Sequence, residues 1–291
     1  MASSSSTPAP ISVVIATPCY ASKMTTGYLT SLLGTCSVLE AAGIGCQVDL
    51  LGNESLICRG RSIMVGRYLQ GTTASHLFFV DSDICWRPED FLKVLTSGKD
   101  VCCGAYAKKS IDWEKVVSGD ASEPAEARGL DYNLNQPIQH EGGLVRVSEA
   151  ATGFMCIKRS VLEALDKSLP ELHCVNDITG TGVASYTAVF HCSICPTSRR
   201  YLSEDYAFSR RVAAAGFSVW VDPSVPLTHV GTALDPSDVR LRFVARYTTP
   251  PSLLPHDGLG QELGAHADGE GNDRQPREVQ PAGSDADQAG H

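Results

Sequence analysis

The sequence lacks any apolar run long enough to cross a membrane. Its first apolar run, residues 11–16, is far shorter than the roughly 20 residues that a membrane-spanning helix needs. The segment before it, residues 1–10, is rich in Ser and Pro and has none of the basic residues that open a secretory signal. We therefore expect a cytoplasmic protein without a transmembrane segment.

Basic residues are scarce and scattered. The chain has 24 Lys and Arg against 33 Asp and Glu, which gives a formal net charge of −9. Eight of the acidic residues and only two Arg lie at 251–291, so the rest of the chain carries a net charge of −3. Without a dense stripe of Lys and Arg to neutralise phosphates, we expect no nucleic-acid partner.

Eleven cysteines are spread over predicted strands and helices, and without an export signal we expect reduced, mostly buried thiols. One group of residues has the side chains that zinc prefers: His173, Cys174, His191, Cys192 and Cys195. A single Cys-x-x-Cys without a second, well-spaced pair is a weak zinc signal, and a buried loop is the alternative. The sequence therefore does not decide between a zinc site and a buried loop.

Strands and helices alternate in the first third of the chain. Runs rich in β-branched and aromatic residues predict strands at 11–16, 46–51, 76–80 and 100–105. Segments of helical length predict helices at 28–42, 55–69 and 88–95. Such βαβ units predict an α/β, Rossmann-like fold with a mainly parallel sheet flanked by helices.

The pattern loosens after residue 106. We expect a long surface loop at 118–139, a smaller mixed sheet containing strands 143–147 and 153–157, and an irregular stretch before residue 199. Further elements are predicted as helices 159–165 and 204–214 and strands 218–221 and 225–229. One domain should thus span 11–249, between a disordered N-terminus (1–10) and a disordered acidic tail (250–291) that lacks aromatic residues and apolar periodicity.

The strongest chemical signal follows strand 76–80, which ends in Asp81 and Asp83. Open α/β sheets bind ligands at the carboxyl ends of their strands, and residues two apart share a face wherever the extended geometry continues. Two carboxylates on one face suit Mg²⁺ or Mn²⁺, which fill their other positions with water and substrate phosphates. Alternatively, the aspartates only cap the helix that begins near Pro88.

The order of four motifs resembles that of the GT-A glycosyltransferases, especially the family 2 type. In that family a first strand ends near the nucleotide base, an Ala-Arg-Asn-like element follows, a later strand ends in Asp-x-Asp, and a Glu-Asp motif lies further on. The segments that look similar here lie within residues 11–232, at 15–20, 59–62, 81–83 and 203–210. Two departures are Ser62, where Asn is usual, and Ile84, where many members carry a third Asp.

The resemblance implies a GT-A fold and a metal-dependent transfer of a sugar from a nucleoside-diphosphate sugar to a hydroxyl of a glycan, lipid or protein acceptor, with inversion. It implies that Asp83 binds Mn²⁺ or Mg²⁺ at the donor diphosphate, a cation that stabilises the departing diphosphate. Asp81 is then expected to contact the ribose or the water shell of the metal.

The donor side should also include Pro18, Tyr20, Arg59 and Arg61, as the resemblance implies. Residues i and i+2 do not share a helix face, so we expect only one of the two arginines to point at the donor. Solvated helix charge is the alternative role for both.

Asp205, with Glu204 beside it, resembles the general base of inverting enzymes, which takes the proton of the acceptor hydroxyl. Acidic residues in the first turn of a helix are also favoured by the helix dipole alone, and Ser203 is a natural N-cap. A purely capping role for the pair is therefore the alternative.

Two further elements belong to the expected site. His229, at the end of the last predicted strand, resembles the additional metal ligand of several GT-A enzymes, although a hydrogen-bonding role is the alternative. Thr152, Gly153 and Phe154 resemble an acceptor-side loop in which glycine permits close backbone approach, with a plain turn as the alternative.

Other α/β proteins also end a strand in Asp-x-Asp. A haloacid dehalogenase-type phosphotransferase carries the motif on its first strand, whereas two βα units precede Asp81 here. A sugar nucleotidyltransferase needs a Gly-rich loop after its first strand, and residues 17–20 contain no glycine. A non-catalytic nucleotide-sugar-binding module is the remaining alternative if Asp205 is only structural.

Overall fold

The computed structural model describes residues 10–118, 128–135, 137–234 and 240–246. The segments predicted to be disordered lie outside the described residues, except for Pro10. The helices are α1 (Thr26–Ala41), α2 (Ile57–Gly71), α3 (Pro88–Leu95), α4 (Trp113–Ser118), α5 (Arg159–Ser168) and α6 (Glu204–Ala214). The strands are β1 (Ser12–Cys19), β2 (Gly45–Gly52), β3 (His76–Val80), β4 (Ile84–Cys85), β5 (Val101–Gly104), β6 (Ala107–Ile111), β7 (Leu130–Tyr132), β8 (Pro137–Glu141), β9 (Leu144–Val147), β10 (Phe154–Lys158), β11 (His173–Val175), β12 (Ser185–Thr187), β13 (Ser193–Ile194), β14 (Tyr201–Leu202), β15 (Val219–Asp222), β16 (Thr228–Leu234) and β17 (Arg240–Arg246).

An eight-stranded sheet in the order β2-β1-β3-β10-β5-β15-β9-β8 forms the centre of the fold. Six of its strands run in one direction, while β10 and β9 run against their neighbours. Helices cover the sheet, and smaller sheets lie beside it. The predicted α/β fold with a mainly parallel sheet flanked by helices is confirmed.

Several predicted elements differ in detail. The strands predicted at 143–147 and 153–157 exist as β9 and β10, but they belong to the central sheet and not to a smaller one. Strand β10 lies between β3 and β5 and pairs with both, so its apolar residues are buried within the central sheet. The predicted loop at 118–139 contains β7 and the start of β8, and the stretch before residue 199 contains β11, β12 and β13. The last predicted strand, 225–229, begins only at Thr228.

Alternating side chains divide the core into two layers, one on each face of the sheet. Val13 and Ile15 of β1 pack in the cluster that also contains the apolar residues of α1 and α3. Val14 and Ala16 pack in the cluster formed with α2, α5 and α6. Burying each large apolar side chain in these layers contributes roughly 1.5–3 kcal/mol, so the sheet is held as a rigid platform.

A three-stranded sheet in the order β17-β16-β4 adjoins the end of β3. Strand β4 starts directly after the aspartate pair, and β16 pairs with it so that His229 lies opposite Ile84. The amide of Val230 donates to the carbonyl of Asp83 at 2.9 Å. This pairing brings a histidine from far along the chain next to the Asp-x-Asp segment.

Candidate functional site

The candidate site lies where β1 and β3 end. These strands are parallel neighbours, with Ala16 opposite Phe79, so the segments that follow them leave from the same edge of the sheet. The chain turns immediately after Val80, because the amide of Ile84 donates to the carbonyl of Asp81 at 3.0 Å. The extended geometry that would place both aspartates on one face therefore does not continue through them, and their carboxylates contact different partners.

Asp83 lies between two side chains. Lys109 donates from Nζ to Oδ2 of Asp83, and His229 Nε2 lies 3.5 Å from Oδ1. Burial works to raise the pKa of Asp83, but the contacts with His229 and Lys109 outweigh it and hold the pKa below its ordinary value. The carboxylate is therefore ionised at neutral pH.

The backbone orients the ring of His229. Its Nδ1 lies 2.8 Å from the carbonyl oxygen of Ala107, and because a carbonyl only accepts, we assign the proton to Nδ1. Nε2 then faces the Asp83 carboxylate, where it either carries a proton and donates to Oδ1 or is free to bind a cation. A cation between the two groups would take the place of that proton.

Asp83 and His229 fit a divalent cation by their chemistry. Metal-binding histidines almost always donate their other N–H to a carbonyl, a carboxylate or water, as His229 does. Within the described residues, no group of three or more His, Cys, Asp or Glu side chains is placed to hold an ion. A cation held by Asp83 and His229 would therefore take its remaining ligands from water and bound phosphates, as Mg²⁺ usually does.

Arg61 is the centre of a second, buried cluster. Its side chain is only 3% exposed, Nη2 donates to Asp81 Oδ1 at 3.0 Å, and Nε lies 3.8 Å from Glu204 Oε1. Burial alone would lower the pKa of Arg61, but the charges of Asp81, Asp205 and Glu204 raise it. The guanidinium thus stays charged and joins the aspartate after β3 to the acidic start of α6.

Arg59 points elsewhere, as the spacing on α2 predicts for one of the two arginines. It forms a bidentate pair with Glu54, Nε to Oε2 at 2.7 Å and Nη2 to Oε1 at 3.0 Å. The structure therefore brings Arg61, but not Arg59, to the aspartates.

Asp205 is buried in the first turn of α6, with 7% of its surface exposed. Burial is the main cause that raises its pKa to about 6, and the neighbouring Glu204 adds to the rise while Arg61 opposes it. Asn133 donates to Oδ2 of Asp205 at 3.4 Å. Ser203 occupies the N-cap position, but its side chain makes no capping hydrogen bond.

Four buried polar atoms around Arg61 and Asp205 make no hydrogen bond of good geometry in the part of the chain that the structure describes, although the Thr152 hydroxyl lies close enough to Asp205 to work against the rise of its pKa. They are Nε and Nη1 of Arg61, Oδ1 of Asp205 and Oγ1 of Thr152. Each unpaired buried group costs about 1–3 kcal/mol, so such groups are rare and call for an explanation. Both donors and acceptors are present, as a site for hydroxyl groups requires.

Gly153 packs closely against two residues of the site. Its amide donates to Tyr106 Oη at 2.9 Å, and its carbonyl accepts from the amide of Asp81, also at 2.9 Å. A Cβ at this position would lie 2.5 Å from Asp81 Oδ2 and would overlap Tyr106 Oη. Glycine is thus required here for space, which gives the close backbone approach predicted for this residue a physical basis.

We expect Gly153→Ala to lower the free energy of unfolding by about 1–3 kcal/mol, the usual cost of overfilling a packed site. Urea denaturation of the variant and the wild type measures this loss. Gly71→Ala is the matched control, because a Cβ there meets nothing within 4 Å. Equal stability of Gly153→Ala and wild type would show that Asp81 and Tyr106 are not held against the backbone as described.

The other predicted residues are placed as follows. Thr152 is fully buried beside Asp205, whereas the Phe154 side chain packs in the core layer with Phe78, away from the polar atoms. Pro18 lies near the end of β1 and Tyr20 follows it with 71% of its surface exposed. Both residues lie at the edge of the sheet where the candidate site is located.

Lys109, Tyr106 and Asn133 were not predicted from the sequence. Asn133 connects Asp205 to Tyr206, whose hydroxyl donates to Asn133 Oδ1 at 2.6 Å. The only sequence signal for Lys109 is that its spacing from Ala107 places both on one face of a strand.

A third ionic group lies behind α6 and was also missed. Glu149 is fully buried and accepts from Arg210 at 2.7 Å, from Arg200 at 3.2 Å and from Asn135. The Arg200 guanidinium lies 5.7 Å from the centre of the Tyr206 ring. This group fixes the helix that carries Asp205.

The proposed zinc ligands do not converge. The described residues form no cluster of three metal-binding side chains, and all eleven cysteines carry free thiols. Cys174 donates from Sγ to the carbonyl of Tyr186, and Cys195 Sγ lies 3.3 Å from Thr197 Oγ1 in the turn between β13 and β14.

No helix in the described residues is long and apolar enough to span a membrane.

Comparison with known proteins gives distant similarities to solved structures. No protein-family model and no curated protein sequence matches the chain. The crystal structure of A197 from STIV is 18% identical, with 82% of this chain and 98% of that one covered and a TM-score of 0.43. The catalytic domain of Drosophila beta1,4galactosyltransferase 7, in complex with xylobiose, is 11% identical, with coverages of 73% and 65% and a TM-score of 0.37. The inositol-1-phosphate CTP transferase from T. maritima is 12% identical, with coverages of 80% and 92% and a TM-score of 0.35. The chain spans less than two thirds of the galactosyltransferase domain, and similarities at this level place it in no family.

Proposed function

We propose that this protein is a GT-A glycosyltransferase that moves a sugar from a nucleoside-diphosphate sugar to a hydroxyl acceptor, assisted by a divalent cation and with inversion. The observation that supports this most directly is the position of Asp205. A buried carboxylate with a pKa of about 6 and an unpaired oxygen lies beside the cluster that follows β3. Such a group accepts protons near neutral pH.

In the proposed reaction, Asp205 takes the proton of the acceptor hydroxyl while the acceptor oxygen attacks the anomeric carbon of the donor. The bond from that carbon to the diphosphate breaks, and its electron pair leaves with the diphosphate. Because attack and departure occur on opposite faces of the sugar, the anomeric configuration inverts. Arg61 holds Asp81 in place, and its Nε and Nη1 atoms, which have no protein partner at hydrogen-bond distance, would donate to ligand hydroxyls.

Asp83 and His229 are the residues that would hold the cation. When bound, a divalent ion supplies positive charge to the diphosphate as it departs, which favours the transition state over the ground state.

A panel of nucleoside-diphosphate sugars, each with Mn²⁺, tests the proposal. One donor should raise the melting temperature of the protein, and slow release of nucleoside diphosphate should follow, because water replaces the missing acceptor. The control is the same panel with EDTA.

Each result has a different meaning. Stabilisation with nucleoside-diphosphate release supports the transferase, and stabilisation without any release supports a non-catalytic binding module instead. Hydrolysis of simple phosphate esters, without a response to any sugar donor, would overturn the proposal in favour of a phosphotransferase.

A further inference from the structure

Lys109 is positioned at the candidate cation site by its place on β6. Ala107, two residues earlier on the strand, accepts the hydrogen bond from His229 through its carbonyl, and Lys109 reaches Oδ2 of the same Asp83 that His229 faces. Its neighbour Lys108 extends to Asp131 instead, with Nζ 2.7 Å from Oδ2. The strand thus directs one of two adjacent lysines to the site.

The path of the Lys109 side chain depends on Gly231. A Cβ on this residue of β16 would overlap Cδ of Lys109 and lie 2.7 Å from Cε. The absence of a side chain at position 231 therefore lets the lysine chain lie over the strand and deliver its ammonium to Asp83. Lys109 itself keeps 34% of its side chain exposed, so the ammonium is able to leave Asp83 for another partner.

Lys109 contacts Oδ2 of Asp83 while His229 faces Oδ1, so a divalent cation between His229 and Asp83 would share one carboxylate with the ammonium. A bound Mn²⁺ or Mg²⁺ would neutralise the carboxylate in place of the ammonium and would repel this second positive charge beside it. A lysine has three donors, no acceptor and a flexible stem, so once displaced it moves to the nearest anion. In the proposed reaction that anion is the donor diphosphate.

We propose that Lys109 is a tethered counter-ion: it neutralises Asp83 when no metal is bound, and it binds the diphosphate once a divalent cation has taken its place. This inference rests on the proposed function and adds a specific phosphate-binding residue to that site.

Binding of Mn²⁺ alone tests the first half, with free Mn²⁺ measured by electron paramagnetic resonance. Lys109→Met removes the competitor and should tighten Mn²⁺ binding by about three- to tenfold. Gly231→Ala should tighten it in the same direction, because it moves the ammonium off Asp83 while keeping the charge of the chain. Lys108→Met, which removes an equal charge from the next residue, should stay within about twofold of wild type. Melting curves establish that each variant is folded.

Binding of inorganic pyrophosphate at saturating Mn²⁺ tests the second half. Lys109→Met should weaken it by about three- to tenfold, and Lys108→Met should leave it within about twofold. Unchanged or weaker Mn²⁺ binding in both Lys109→Met and Gly231→Ala, or unchanged pyrophosphate binding in Lys109→Met, would overturn the inference. A failure of the metal site itself is distinguishable, since wild type and Asp83→Asn would then bind Mn²⁺ equally.

Discussion

Replacing Asp205 with Asn should lower turnover by about 10²- to 10⁴-fold, the usual contribution of a positioned general base. Asparagine has nearly the same size and retains an oxygen that can accept from Asn133, but it cannot take a proton from the acceptor. Donor affinity should change little, because in the proposed reaction the donor diphosphate is bound through Asp83 and His229 and not through Asp205. The loss is therefore expected in kcat rather than in the binding of the donor.

Asp90→Asn is the matched control for this variant. Asp90 is also a buried acidic residue in the first turn of a helix, where it pairs with Arg87, but it belongs to α3 and not to the site. Its replacement should leave turnover unchanged. If Asp205 only caps α6, Asn would serve about as well as Asp, so normal turnover of Asp205→Asn would refute the role of base.

The pH dependence of stability gives an independent check on the environment of Asp205. Its pKa in the folded protein is about 6, above the ordinary value of 3.8, so the folded state binds the proton more tightly than the unfolded state. The contribution of this group to stability is thus present below about pH 4 and is lost as the pH rises through about 6. Each pKa unit corresponds to about 1.4 kcal/mol, so Asp205→Asn should be more stable than wild type by up to roughly 3 kcal/mol at pH 7.

Urea denaturation of both proteins at pH 4 and pH 7 measures this difference, which should nearly vanish at pH 4. Turnover of the wild type should decrease as the pH falls below about 6, because the protonated carboxyl cannot act as a base. A variant that is less stable than wild type at pH 7 would contradict a buried carboxylate that destabilises the fold when it is ionised.

The sequence predicts the parts of the fold that depend on local pattern. The run Leu77–Phe78–Phe79–Val80 is apolar on both sides and is buried on both faces of the sheet, so strand β3 was predictable to the residue. Where the prediction failed, the cause is long-range pairing. Strand β10 was recognised as a strand, but its insertion between β3 and β5 depends on partners far apart in the chain.

The candidate site shows the same division. Asp81 and Asp83 were identified from their position after an apolar strand, and the helix periodicity correctly indicated that Arg59 and Arg61 diverge. Lys109 was missed because nothing in its own segment connects it with Asp83.

Asn133 and Glu149 were missed for a related reason. Both act through contacts with α6. Asn133 lies in the segment predicted as a surface loop and Glu149 just after a predicted strand, and neither belongs to a chemical motif. Single polar residues in such segments gain their roles only from tertiary packing, which one sequence does not reveal.

Replacing Asp83 with Asn should weaken the binding of Mn²⁺ by at least about tenfold, equivalent to about 1.4 kcal/mol. Asp83 supplies one of the two side chains that fit the cation, and the amide that replaces it carries no charge. The fold should persist, because Lys109 is exposed enough to exchange its lost partner for water. Free Mn²⁺ measured by electron paramagnetic resonance gives the affinity, and a melting curve tests the fold.

Asp131→Asn is the matched control, because Asp131 also pairs with a β6 lysine but lies on the surface with Lys108. Its replacement should not alter Mn²⁺ binding. For Asp83→Asn, the Mn²⁺-dependent part of the affinity for a nucleoside diphosphate should fall by the same factor as the affinity for Mn²⁺ itself, because Asp83 would act on the phosphates only by holding the cation. An affinity within about twofold of wild type, against the tenfold expected, would show that Asp83 is held by Lys109 for structural reasons and does not bind the cation.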